Sequence, residues 1–338
     1  MKKKFLISGF CLFIFSCSTL LKYEKRKEVF KTEEFDKKVT IIEAEEPKEL
    51  VAPKEAPALI IKTENIQPLV KKTNQHKKVK IPAKSLQRQP EIEDAEGFDY
   101  QRRPLVDPFK VGEKIIHSVS YLGADAGKLT LLVKPFAIVN GKKNYNFFID
   151  LKSSSFFSRV FAVDDQIQTY VDYETLVPGA FKLDIKDSGQ VKEARSFFDF
   201  ENLKADYWEN KFTEKNGHQE KKINWSILPY SQNPFSALFY MRVFKWVVGK
   251  EYIFRVADDE KNVVFKAKAL EKIKLSTEAG EFDTIKIKAE VVTRGNLTKA
   301  TDFYMWVSDD VRKYILRIEF KLPIGSLVSE VVEIKEGN

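Results

Sequence analysis

The side chains best suited to acid–base work in this sequence are three acid pairs, Asp164-Asp165, Asp258-Asp259 and Asp309-Asp310, and three scattered histidines. A glycosidase needs two carboxyls facing each other across a cleft, about 5–9.5 Å apart. A calcium loop spaces its oxygens alternately around a glycine. Adjacent aspartates at strand ends do neither, and turn and cap chemistry accounts for them. Asp309-Asp310 followed by Arg312-Lys313 reads as a local surface ion pair, worth little energetically. His117 shares a strand face with Ile115, Val119 and Tyr121. As a general base it would need a serine and an orienting acid, and no local pattern supplies them. It reads as a partly buried, hydrogen-bonded structural histidine. His76 and His218 are far from it, and His218 lies in a polar turn. Both cysteines precede residue 18, which excludes a disulfide framework and a cysteine zinc site. There is no G-x-S-x-G elbow, Walker loop, G-x-G-x-x-G or H-E-x-x-H. The expectation is a protein that is not an enzyme, with no catalytic residue, no cofactor and no metal.

Aromatic pairs carry a different chemistry. Phe147-Phe148, Phe156-Phe157 and Phe197-Phe198 place rings on both sides of their segments, because neighbours in a strand face opposite ways. Core packing is one reading. The other is a pocket for a lipid-like ligand, with Phe147, Phe156, Phe157, Phe161, Phe235 and Phe239 as its wall.

The N-terminus reads MKKKFLISGFCLFIFSC. Three lysines, an apolar run from Phe5 to Phe15 and a small residue make a secretory signal, too short for the roughly 20 residues of a membrane-spanning helix. Ile14-Phe15-Ser16-Cys17 resembles a bacterial lipobox, which implies that Cys17 is acylated, with palmitate among its chains, and becomes the first mature residue. Several acyl chains together give stable anchoring. An anchor helix and ordinary signal cleavage are the rival readings. Ser18, rather than Asp, resembles the default outer-membrane address of Gram-negative lipoproteins, and implies a periplasm-facing protein.

Residues 18–104 read as a mostly disordered tether. Between 18 and 100 there are 17 Lys+Arg, 16 Asp+Glu, six prolines and only five aromatics. Such a stretch cannot bury enough surface to offset chain entropy. Weak apolar periodicity in 20–42 suggests a transient helix. Lys71 to Arg88 carries seven basic residues and no acid, among them Lys71, Lys72, Lys77, Lys78 and Lys80. Contact with an anionic envelope surface, lipid head groups or cell-wall polymer, is the functional reading; a solvated linker is the plain one. A net charge of +8, spread along the chain, is not that of a dedicated nucleic-acid binder.

Residues 105–336 read as a single β-rich domain. Tyr145-Phe147-Ile149-Leu151, Phe181-Leu183-Ile185, Tyr252-Phe254-Val256, Ile285-Ile287-Ala289 and Val328-Glu330-Val332-Ile334 repeat a period of two, with polar residues between. Turn signals such as Asn140-Gly141 and Ser188-Gly189 separate about 12 strands. One helix interrupts them: Asn233 caps, Pro234 leads, Phe235, Leu238, Phe239, Val243 and Trp246 follow, and Gly249 ends it. A second short helix is expected at 154–161. The predicted fold is mainly β: a curled antiparallel sheet, roll or incomplete barrel, with one or two covering helices.

The stretches DPFKVGEKIIHSVSYLGADAGKLTLLV, VDDQIQTYVDYETLVPGAFKLDI, PFSALFYMR, AGEFDTIKIK and VSDDVRKYILRIEFKLPIGSLVSEVVEI span 107–334. Together they resemble the bacterial envelope family of domain of unknown function 3108, with departures at His117 and near Tyr314. The resemblance implies an exported β-rich roll, loosely similar to periplasmic lipid carriers, and transfers no catalytic residue. The functional expectation is a lipid-anchored envelope protein that holds an apolar ligand or lipidated client in its curled sheet. The alternative is a structural or interaction module, with envelope protein or cell-wall polymer bound at the sheet edge or at the basic tether segment.

Overall fold

Alternating burial runs through strand after strand. In Pro178–Asp187, Phe181, Leu183 and Ile185 are buried while Lys182, Asp184 and Lys186 are not. The fold comes from a computed structural model that describes residues 33–44, 107–293, 296–297, 303–321 and 325–338. Its strands are β1 Ile41–Glu43, β2 Lys114–Tyr121, β3 Ala124–Val139, β4 Lys142–Ser153, β5 Asp164–Asp172, β6 Pro178–Asp187, β7 Gln190–Asp199, β8 Lys204–Thr213 and β9 Gly217–Ser226. Then follow β10 Glu251–Asp258, β11 Lys261–Thr277, β12 Gly280–Thr293, β13 Asn296–Leu297, β14 Phe303–Ser308, β15 Ile315–Lys321 and β16 Ser326–Lys335. The helices are α1 Glu33–Lys38 and α2 Pro234–Tyr240.

All the strands join one 16-stranded sheet: fourteen follow the order β10-β11-β12-β14-β15-β16-β2-β3-β4-β5-β6-β7-β8-β9, with β1 added on β3 and β13 on β12. Two meanders, β2 to β9 and β10 to β16, are zipped together where β16 pairs with β2. The sheet curls but does not close, and its two edges, β9 and β10, are successive strands in the chain. The connection between them fills the gap. Gln232 N–H donates to Arg255 O, and Ala257 N–H donates to Gln232 O. Asn262 reaches across with its amide, donating to Ser226 O and accepting from Leu228 N–H. Open strand edges invite pairing with other chains, and this plug covers β10 and the end of β9.

The plug contains α2. Asn233 and Ser236 form a capping box, and Pro234 takes the first turn. Phe235, Ala237, Phe239 and Tyr240 are buried against the inner face of the sheet. The helix is shorter than its apolar spacing predicts: a 3-10 turn at Met241–Val243 follows, and Phe244 is already extended. Arg242 explains the stop. It is fully buried, donates to Glu113 Oε1 at 2.6 Å and to Oε2 at 3.1 Å, and also reaches Pro108 O and Arg312 O. Holding that fork in place fixes the backbone at the turn. Arg312 also pairs with Glu113, not with the neighbouring aspartates, so the expected local ion pair is replaced. Asp310 instead closes its own turn, accepting from Arg312 N–H and Lys313 N–H.

Two other expectations are corrected. On β16 the buried residues are Ser329 and Val331, so the Val328-Glu330-Val332 set faces outwards. Valines on both faces blur the alternation there, and a register shift between Val331 and Glu333 then returns Ile334 to the inner side opposite Ile115. The second correction concerns the tether. Residues 33–44 are part of the folded domain. β1 pairs with β3 through Ile41–Val139 and Glu43–Ala137, and Phe35 is 1% exposed, its ring edge-on to Trp208 at 5.8 Å. Glu34 accepts from Trp208 Nε1, Lys38 pairs with Asp206, and Glu43 accepts from Tyr170 Oη. One buried aromatic supported by ion pairs offsets the cost of ordering so short a segment. The remainder of the tether, including Lys71, Lys72, Lys77, Lys78 and Lys80, lies outside the described residues, as do the signal segment and Cys17.

Candidate functional site

The inner face of the sheet is not filled throughout. A cavity of about 290 Å³ lies against one end of the roll. Its apolar lining comes from Leu129 on β3, Leu151 on β4, Phe181, Leu183 and Ile185 on β6, Phe320 on β15 and Leu327 on β16. Phe235 of α2 adds a ring, 5.3 Å from that of Phe181. The segment 154–163 adds Phe157, Phe161 and Val163, and turns Phe156 and Val160 outwards, 68% and 77% exposed. Its 3-10 turn, Phe157–Arg159, is what the sequence expectation of a short helix becomes.

The other part of the lining is charged. It comes from the inward positions of β7, β8 and β9 and the end of β10: Lys192, Tyr207, Glu209, Lys211, Lys221, Asp258 and Asp259, with Asp165 from β5. The ladder sets this order. Lys192 stands directly opposite Lys211, and Glu209 opposite Lys221. Tyr207 Oη donates to Glu209 at 2.5 Å, and Lys192 Nζ lies 3.7 Å from the same carboxylate. Lys221 bridges the open seam of the roll to Asp259 at 2.5 Å.

Burial governs the electrostatics of this wall. It pushes the Asp258 carboxyl up to about 6, with the Asp259 charge adding to the effect. Burial also raises Asp165 to about 6, against a hydrogen bond from Lys186 N–H. Lys192 is lowered by burial, which outweighs the pull of Glu209. Tyr207 is raised by burial and by Glu209, so it stays a hydrogen-bond donor. The arrangement can take an apolar chain at one end and hold polar groups of either sign at the other.

The six aromatics expected in a ligand wall separate into three groups. Phe157, Phe161 and Phe235 line the cavity. Phe147 and Phe239 stack face to face at 4.1 Å in the filled core, each 1% exposed. Phe156 faces solvent. The wall residues that sequence reasoning missed are aliphatic, on β3, β4 and β6, and charged, on β7 to β10.

His117 is fully buried, and Ser329, a residue of the cavity lining, brings its Oγ to 3.1 Å from His117 Nδ1. The pairing joins residues 212 positions apart, which local pattern could not reveal. Among the described residues no side chain meets Nε2, and the ring's other polar neighbour is the backbone of Ile315, so no acid orients it. Burial lowers the imidazole to about 4 and keeps it neutral. Among the described residues, no three His, Cys, Asp or Glu side chains converge as a metal site.

The β-barrel-like crystal structure of a protein of domain of unknown function DUF1849 from Brucella abortus is 12% identical with a TM-score of 0.44, and the match covers 68% of this chain and 99% of that one. A candidate lipoprotein from Parabacteroides distasonis is 12% identical with a TM-score of 0.31, at the same coverage of 68% and 99%. A candidate exported protein from Bacteroides fragilis is 10% identical with a TM-score of 0.31, again over 68% and 99%. No curated protein matches. The family described as protein of unknown function (DUF3108) matches residues 117–332, from the buried histidine of β2 to Val332 of β16, and this chain belongs to that family.

Proposed function

We propose that this protein is a non-enzymatic binding protein of the bacterial envelope, anchored through acylated Cys17 in the outer membrane and facing the periplasm, whose curled sheet holds an amphiphile. One observation carries the reading: the cavity of about 290 Å³ joins an aliphatic and aromatic wall to a charged one. Its volume sits near the lower end of the roughly 300–1,000 Å³ of small-molecule sites. An acyl chain would lie along Leu129, Leu151, Leu183 and Ile185, with its head at the charged strands. Outward-facing Phe156 and Val160 beside the cavity suit contact with a lipid surface or a lipidated client. The lipobox-like Ile14-Phe15-Ser16-Cys17 supports the anchor.

Native mass spectrometry of the full chain, purified from envelopes in gentle detergent, tests this reading. The expected result is a co-purifying amphiphile, lost in Leu183→Trp, where a larger ring fills the cavity. A protein that never carries a ligand, and takes none up from added lipid, defeats it.

A further inference from the structure

Most charged groups on the cavity wall already have partners. Glu209 accepts from Tyr207 and sits by Lys192, Asp259 takes Lys221, and Asp187 accepts from the side chain of Gln190. Two do not. Lys211 on β8 and Asp258 at the end of β10 make no hydrogen bond or contact ion pair with any described residue, although the Lys261, Lys192 and Lys221 charges act on Asp258; both line the cavity and neither is fully exposed. Charges withdrawn from water without a partner are costly, and proteins leave few of them. These two have opposite signs, and they act on one point: the buried Lys192 ammonium feels both the Lys211 charge and the Asp258 charge.

The apolar wall runs directly into this pair. Ile185 is the ladder partner of Lys192, and Lys192 is the ladder partner of Lys211. A chain lying on β6 therefore delivers its head group to β7 and β8.

We propose that the ligand is a zwitterionic amphiphile, with an ammonium directed to Asp258, an anionic group directed to Lys211 and a single apolar chain along β6. A purely anionic head would leave Asp258 unpaired and add repulsion from it. A purely cationic head would do the same at Lys211. A neutral head would leave both unpaired. The inference rests on the amphiphile reading above.

The test is displacement of dansyl-undecanoic acid from the purified full chain by four competitors with the same acyl or alkyl length. These are a lysophosphatidylethanolamine, a lysophosphatidic acid, an alkylamine and a monoacylglycerol, all kept below their micelle concentrations. The lysophosphatidylethanolamine is expected to compete at concentrations at least tenfold lower than the other three. Asp258→Asn and Lys211→Met should each erase that preference. Equal competition by all four, or a lead for the anionic, cationic or neutral competitor, overturns the zwitterion and leaves the amphiphile reading standing. Absence of any probe binding overturns both. If either variant fails to fold by circular dichroism, the ranking on the unaltered chain decides alone.

Discussion

Arg242 and Glu113 meet fork to fork in the dry interior, with the shorter bond at 2.6 Å and each side chain only 1% exposed. The pair ties the end of α2 to the start of β2, and Arg312 joins it from the turn before β15. Removing one member leaves the others charged and unsatisfied. Arg242→Met should lower stability by about 3–5 kcal/mol, read from urea midpoints. Glu113→Leu added to it should recover none of that loss, because Arg312 then loses its carboxylate partner as well. A single variant as stable as the parent would show that the pair contributes nothing.

His117 sets one acid limit. Its folded value of about 4 lies below the unfolded value of 6.5. The folded state therefore binds fewer protons in that window. Its contribution to stability is complete above about pH 6.5 and is lost as pH falls toward 4, about 3 kcal/mol in all. Chemical denaturation at pH 7 and at pH 4.5 should show a smaller acid loss for His117→Leu than for the parent. Equal losses would mean that the ring is protonated, or exposed, in the folded state.

Asp258 works in the opposite sense. Its folded value of about 6 lies above the ordinary 3.8, so ionisation opposes folding and stability from this group falls as pH rises through 6. Asp258→Asn should raise the melting temperature at pH 8, and the gain should shrink by pH 5. A variant that gains nothing at pH 8 would place the carboxylate in water.

Phe35 holds the N-terminal segment on the outer face of the sheet, among Trp208, Tyr170, Ala137, Val139 and Ala180. Phe35→Ala should weaken that docking by about 3–5 kcal/mol, enough to release a short segment. Amide exchange at Asn140, whose N–H donates to Thr40 O, and at Ile138 should then quicken and Trp208 fluorescence should shift, while exchange on β14 and β15 stays unchanged. Unaltered protection at Asn140 would mean that the pairing of β1 with β3 does not depend on the ring.

Much of the fold is legible in the residues. Asn140-Gly141 marks its hairpin because both take positive φ, 46° and 80°. Asn233-Pro234 marks its helix start. Gly127 is legible only as a glycine; its reason is that a Cβ there would lie 2.1 Å from Lys152 O. The charged wall is harder. Around Lys192, Glu209, Lys211 and Asp258 both faces of the strands carry polar residues, among them Glu193, Asn210 and Asp259, so little local separates the inward side from the wet one, and only the curl brings β7, β8, β9 and β10 together. Phe147 and Phe239 look like wall residues for a similar reason: whether an inward ring fills space or borders it depends on what stands opposite. Phe35 is hidden by its charged neighbours, Glu33, Glu34, Asp36, Lys37 and Lys38, of which Glu34 and Lys38 turn out to be grips that fasten it.

The fastening of residues 33–44 to β3 changes the mooring of the whole molecule. Measured from Cys17, the folded body begins 16 residues on, at Glu33. Sixteen residues reach at most about 55 Å. With fatty acids on Cys17 the roll would be held within about that distance of the bilayer, whereas a first fastening at residue 107 would allow several times as much.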